Sequence, residues 1–531
     1  MKEENENSNE IRESILSNTS GNLLRDTNLK GIEKIIEEEE KENKKNEKSK
    51  KVNSLGTILS IGNSMIGSSI VTLPYNIYKT GIIPAVVLYV LYNLISFYTC
   101  KIYVDFGTVD TDFSLTIEKY FAKLLGKKMS KIGKTTQMFF CTFMATGGFI
   151  TYFIIMSENF YPVICLILNK IGLDNIDSAD LTPDFSRFSS IYLGIILCFI
   201  LFPLAIKKDI GFIVFISSFG CYFISILIGY VLYTGIYSLI NTEFKFDYIK
   251  NKDNANERYL YLFGENPGLL TGTLSMGYFC HTAILPILKS NKNQSKNIRD
   301  LFLGYVFVGS VYILCGILGY IGFSGKNFKS DFKDNWLMFF ESDNYLILVF
   351  RVLNVFQLIT AFPILIYIVR FQIFTFFCGN EYPSRKHVVI CALCQLFLCL
   401  IVFYFCYNIL AKLLSIFGAC ASLILVYTFP PIVKMIDYYL KNKGINIMEN
   451  KQEIIEENKN ENIEENNEKE EKEEKENIEE IKENKNEGNK NKISFKDILF
   501  YCGHSFLIII GIVTVIFQFV PINFFNIVLK E

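Results

Sequence analysis

Long apolar runs alternate with short polar connections over most of the chain. They fall near residues 55–78, 82–105, 136–157, 189–206, 211–240, 268–288, 301–323, 345–369, 387–409, 411–437 and 497–529. Nothing charged lies between Val52 and Tyr78, and the other runs carry few charges. About twenty apolar residues wound as a helix cross the hydrocarbon layer, so the pattern predicts an all-α polytopic membrane protein of about eleven spanning helices. The fifth and eleventh runs are long enough to tilt or to project past the lipid.

Charge sharpens the division. Half of the 531 residues are hydrophobic, and the charged residues concentrate in the first fifty and in 441–496. A soluble domain would mix the two kinds throughout. The expected organisation is a disordered tail over 1–52, a membrane core over 53–440 (spans one to ten), a charged disordered loop over 441–496, and span eleven with a short C-terminus over 497–531. "MKEENENSNEIRES" is acidic and polar, so no cleavable signal peptide is expected and the first span serves for insertion. Basic residues cluster before span one (Lys44 to Lys51) and between spans two and three (Lys119 to Lys134), and recur on the same side at Lys207, Lys208, Lys289, Lys292, Arg370 and Arg385. This asymmetry places the N-terminus in the cytosol. The charged loop is then cytosolic, with too few large apolar residues to offset its ordering entropy.

Polar residues inside the spans carry the functional signal. Span one contains Gly62, Asn63, Gly67, Ser68 and Ser69 before Pro74; span six contains Gly272, Thr273, Ser275, Gly277, Phe279 and His281 before Pro286. Such residues either pack helices closely or let a helix unwind, and unwound backbone survives at membrane depth only around a cavity or inside protein. Two interrupted spans, five apart, point to an inverted repeat whose breaks meet near the midplane. Helix N-termini favour a carboxylate and exposed carbonyls favour an ammonium or a metal cation, so a small zwitterion suits the pair. His281 is either satisfied by a neighbour or takes part in coupling. The Thr360 hydroxyl either serves a cation or bonds its own preceding turn. Arg351, Glu158 and His504 are expected at span ends, Arg351 reaching back to the interface. Cys391 and Cys394 lie in an apolar helix and read as packing residues.

These segments resemble the amino acid/auxin permease family, whose best-known animal branch is the sodium-coupled neutral amino acid transporters. In "NSMIGSSIVTLPYNIYKTG", Asn63, Gly67, Ser69, Pro74, Tyr75 and Gly81 take the family's first-span places, with Ser69 for the commoner glycine. "YFCHTAILPI" is similar to its sixth-span signature through Cys280, His281, Leu285 and Pro286, with Tyr278 for phenylalanine. "GGFITYFIIMSENF", "FPLAIKKDIGFIVFISSFG" and "LLSIFGACASLILVYTFPPIV" resemble span three, the join of spans four and five, and span ten. The resemblance covers roughly 52–440. It implies a five-plus-five inverted repeat (leucine-transporter-like) plus one helix, and secondary active transport of amino acids driven by sodium or protons. It also implies substrate binding at Asn63, Ile66, Gly67, Ser68, Ser69, Gly277, Phe279 and His281, and a cation site at Asn63, Ile66 and Thr360. Expected partners are an amino acid and lipid but no nucleic acid, with no cofactor beyond the coupling Na+ or H+, for a monomer in a plasma or vacuolar membrane. The alternative is an amino-acid sensor signalling through its cytosolic segments. A channel is disfavoured because the polar clusters are isolated. An enzyme is disfavoured because no nucleophile–base pair or metal-spaced set is evident.

Overall fold

The computed structural model describes residues 52–107, 113–172, 177–178, 180–207, 210–247, 259–324, 333–339, 345–378, 384–445 and 494–520. All of the expected N-terminal tail but Val52, and nearly all of the expected 441–496 loop, lie outside the described residues. The helices are α1 Ser54–Met65, α2 Ser69–Thr80, α3 Ile82–Phe106, α4 Phe113–Leu125, α5 Lys127–Ile171, α6 Ser190–Ala205, α7 Ile210–Asn241, α8 Pro267–Gly277, α9 Ile284–Lys289, α10 Asn297–Ser324, α11 Tyr345–Cys378, α12 Arg385–Cys406, α13 Leu410–Leu425, α14 Phe429–Asn442 and α15 Phe495–Phe519.

Eight stretches are long and apolar enough to cross a bilayer: α3, α5, α7, α10, α11, α12, α13 running into α14, and α15. α1 and α2 together make a further span, bent by 63°. Each of the eleven predicted runs thus holds a helix or a helix pair, with α6 and the α8–α9 pair in the two remaining places. Helix boundaries and connections depart from the pattern in places. α5 starts at Lys127 rather than near 136, because helical hydrogen bonds do not stop where lipid ends. α4 is a short amphipathic helix in the connection after span two; it buries Phe113, Ile117, Tyr120 and Phe121 and is tied to α5 by Lys134 on Glu118 at 2.7 Å.

Spans one and six lie side by side in opposite directions and are tied at both ends. At one end Val52 donates to Ser290 and Lys292 to Val52, both at 2.8 Å; at the other Gly264 donates to Thr80 at 2.8 Å and Asn266 to Lys79 at 2.9 Å. Gly81, at φ 85°, lets the chain turn there against the backbone of Phe263 and Gly264. Most of the other contacts between spans come in matched pairs. α10 packs on span one as α3 packs on span six; α7 packs on α10 as α14 on α3; α7 packs on α11 as α13 on α5; and α5–α11 and α6–α12 pair directly. This is the contact pattern of two five-span halves related by a two-fold.

Small residues set one of the closest approaches. A side-chain carbon at Gly418 would strike the Gly272 carbonyl oxygen, so α8 and α13 touch backbone to backbone. Gly418→Leu is expected to force these helices apart and to remove most monodisperse protein on size-exclusion chromatography in detergent. A wild-type elution profile and yield would contradict the assigned contact.

Candidate functional site

The Asn53 side chain caps α1 by accepting from Gly56 N–H at 2.8 Å. The helix ends at Met65; Ile66 is extended (φ −74°, ψ 102°) and donates to Gly62. After Gly67 and Ser68 the chain restarts as α2. Pro74 lies within α2 and does not end it. Two α5 side chains brace the break. The Ser68 N–H donates to the Tyr152 hydroxyl, which abuts Gly67 so closely that any Cβ there would collide with it. Thr151 gives its hydrogen to the Gly147 and Gly148 carbonyls at 2.9 Å, so it accepts from the Ser68 hydroxyl at 3.5 Å.

Span six opens likewise. α8 is capped by Asn266 and ends at Gly277; residues 278–283 are not helical, and α9 follows. Pro286 lies in the first turn of α9, where a missing N–H costs no intrahelical bond. The breaks face each other across Ser69 and Gly277: a side-chain carbon on Gly277 would lie 3.2 Å from Ser69 Oγ. Asn76 donates to Thr273 at 3.0 Å a little further along.

A tyrosine that the sequence reading did not single out joins the two. Tyr312 of α10, fully buried, places its hydroxyl 2.8 Å from the Met65 carbonyl, 3.2 Å from the Gly277 carbonyl and 2.9 Å from Ser69 Oγ. Two turns earlier on α10, Tyr305 donates to the Tyr278 carbonyl at 3.2 Å. The last carbonyls of α1 and α8, orphaned by the breaks, are thus met by phenols from a third span. Tyr305, Tyr312 and Tyr320, seven and eight residues apart, share one helix face. That spacing was the available signal.

His281 turns towards α3. Thr99 gives its hydrogen to the Ile95 or Ser96 carbonyl, so His281 Nε2 donates to Thr99 Oγ1 at 3.0 Å. That leaves Nδ1 as the acceptor, without a partner among the described residues. The ring packs edge-on against Tyr103 and stacks with Phe279. The structure therefore brings the Gly67–Ser69 break against Gly277, while Phe279 and His281, in the span-six break, pack towards α3. Asn63 is half-buried on α1. Thr360 is half-buried on α11, which packs mainly on α5 and α7, and it donates to the Gln357 carbonyl at 2.7 Å. Its hydrogen is used within its own helix.

At the α2–α8 tie, residues 333–339 fold in between the spans. The Asp334 carboxylate accepts from Ala411 N–H at the start of α13 (3.0 Å) and from Tyr75, near Lys79 of α2. Asn335 donates to Glu158 at 2.9 Å and to Asn159 at 3.3 Å on α5. Arg351 does not reach back to the interface: it is 1% exposed and donates to the Leu337 carbonyl at 3.1–3.3 Å. Glu158, too, is covered by protein, at 5% exposure. His504 is buried by packing against Tyr98, to which its Nε2 bonds at 2.8 Å.

A family model described as transmembrane amino acid transporter protein matches residues 50–455. Neutral amino acid transporter 9 of Danio rerio is 26% identical over 435 residues, covering 74% of this chain and 76% of that protein. Sodium-coupled neutral amino acid transporter 9 homolog of Caenorhabditis elegans is 24% identical, covering 72% and 68%. Among solved structures, Mhp1, a nucleobase-cation-symport-1 family transporter in a closed conformation with bromovinylhydantoin bound, aligns at 12% identity and a TM-score of 0.46 over 76% of this chain and 81% of that one.

Proposed function

The chain belongs to the transmembrane amino acid transporter family, and from that premise we propose that it is a secondary active transporter of neutral amino acids, working by alternating access and driven by a proton or sodium gradient. The meeting of two broken spans through Tyr312 carries the reading. The Ser68 amide lies at the start of one half-helix and the Met65 and Gly277 carbonyls at the ends of two others. A carboxylate and an ammonium suit these poles respectively. The charge-free walls around Gly67–Ser69 and Gly277 fit an uncharged side chain, in keeping with the relatives' printed names.

In this reading the substrate sits between Gly67–Ser69 and Gly277–His281, and spans one, two, six and seven rock against the rest. Asn63, Ile66 and Thr360 hold the cation. With the N-terminus cytosolic, residues 333–339 close the opposite face. Purified protein in vesicles, offered each radiolabelled amino acid with and without sodium and with an imposed proton gradient, is expected to accumulate a neutral subset under one gradient only. Accumulation of none would discard the reading. Deleting 451–491 is expected to leave this flux within about twofold, whereas a sensor would retain binding, lack flux and lose its output.

A further inference from the structure

A groove of about 290 Å³ opens between α4, α14 and α15, and none of its lining residues belongs to either broken span. Leu124 of α4, Ile432, Met435, Ile436 and Tyr439 of α14, and Tyr501 of α15 line it. The α14 residues recur at helical spacing, so one stripe of that helix faces the groove while Val433 and Leu440 pack inward. The three walls are pinned to one another. Tyr120 of α4 donates to Asp437 of α14 at 3.2 Å. Tyr438 of α14 donates to Asp497 of α15 at 2.6 Å and stacks on Phe500 with centroids 4.2 Å apart.

Cations surround this groove. α4, the first turns of α5 (to Lys134), α14 with Lys443, and α15 carry ten lysines and three acids. All three acids are engaged: Glu118 by Lys134, Asp437 by Lys441, and Asp497 by the Tyr438 hydroxyl and the Ser494 N–H. Lys123 adjoins the lining Leu124, Lys128 lies in the first turn of α5, and Lys443 Nζ sits 4.9 Å over the ring of the lining Tyr439. None of these three forms an ion pair among the described residues. Lys128 is also set against the positive end of a 45-residue helix, a conflict that a neighbouring anion relieves.

We propose that this groove seats an acyl chain of an anionic phospholipid, with the headgroup phosphate held among Lys123, Lys128 and Lys443. The groove supplies the apolar half of the match and the lysines the charged half. Basic clusters at the ends of spanning helices select anionic headgroups in this way, each lysine strengthening the attraction severalfold. The site lies on the face that carries the basic connections, and it joins α15, the helix outside the five-plus-five repeat, to α4 and α14.

The test is native mass spectrometry of the full-length protein in mild detergent, titrated with phosphatidylcholine, phosphatidylserine or phosphatidylinositol. Wild type is expected to hold one anionic lipid about tenfold or more tighter than phosphatidylcholine. Replacing Lys123, Lys128 and Lys443 together by glutamine should cut that preference to about twofold. Met435→Trp keeps every lysine but fills the groove, and should weaken binding of all three lipids about tenfold. If Met435→Trp elutes abnormally, Ile432→Trp takes its place. Equal affinity of wild type for the three lipids overturns the proposal. So does a groove-filled variant that binds as wild type, since the preference would then come from diffuse surface charge. Displacement of the lipid by inorganic phosphate would make this a site for a free anion instead, and a lipid-free dimer disrupted by Met435→Trp would give the groove to a second copy. Binding is read without flux, so the result stands apart from the transport reading.

Discussion

Gly67→Leu is expected to abolish amino-acid flux, by at least about a hundredfold, while the protein still inserts and elutes as wild type. The physical basis is where the side chain must go. Gly67 lies against the Tyr152 hydroxyl, which accepts from the adjacent Ser68 N–H. A hydroxyl at the end of a flexible ring can retreat, so the fold survives. The leucine then fills the space between the span-one break and α5 and buries the amide end of α2 under hydrocarbon. A carboxylate arriving there would lose its donors and meet a branched apolar group, forfeiting charge-assisted bonds worth about 1.5–3 kcal/mol each. Gly67→Ala should be milder, displacing the Tyr152 hydroxyl alone and raising KM about tenfold. Wild-type flux from the leucine variant, measured with radiolabelled amino acids in vesicles, would move the substrate away from this break.

The breaks themselves were legible because their cause is local. Gly67, Ser68 and Gly277 lower the helix's advantage wherever they occur, and the interruptions fall at 66–68 and directly after Gly277, at 278–283. The expected junction of Gly67–Ser69 with Gly277 follows from the five-span offset, which puts the second half upside down. What holds the junction was hidden, since Tyr312 reaches the breaks across more than thirty residues of chain on one side and about 245 on the other. A tyrosine in an apolar run looks like any other until its neighbours are known. Residues 333–339 were hidden for the opposite reason: "KDNWLMF" reads as an ordinary connection, and only burial turns Asn335 and Asp334 into partners for α5 and α13. Arg351 shows the same limit. An arginine near a span end ordinarily snorkels, but here a carbonyl supplied by residues 333–339 accepts from it inside the protein.

Asp334→Lys is expected to release residues 333–339 and to lower flux by about tenfold or more. The carboxylate sits on the first turn of α13 through Ala411 N–H and beside Lys79. A lysine would put like charge against both the positive helix end and Lys79, and would leave the Ala411 amide without its acceptor. A swing of about 2 kcal/mol moves the docked-to-released ratio roughly thirtyfold. Hydrogen exchange reads this directly, because Leu337 N–H donates to the Asn335 side chain and Met338 N–H to its carbonyl only in the docked turn. The same residue gives a pH dependence of known sign. Burial pushes the Asp334 carboxyl above its ordinary value of 3.8, against the opposing pull of Ala411 N–H, Tyr75 and Lys79. The docked form therefore binds a proton more readily than the released form. Its contribution to docking is complete below 3.8 and is lost as pH rises through the raised value. Exchange at 337 and 338, corrected for the intrinsic rise with base, should quicken over that window in wild type and stay flat in Asp334→Asn. A slope of opposite sign, or an unchanged slope in Asp334→Asn, would mean that a group other than Asp334 sets the docking of this segment.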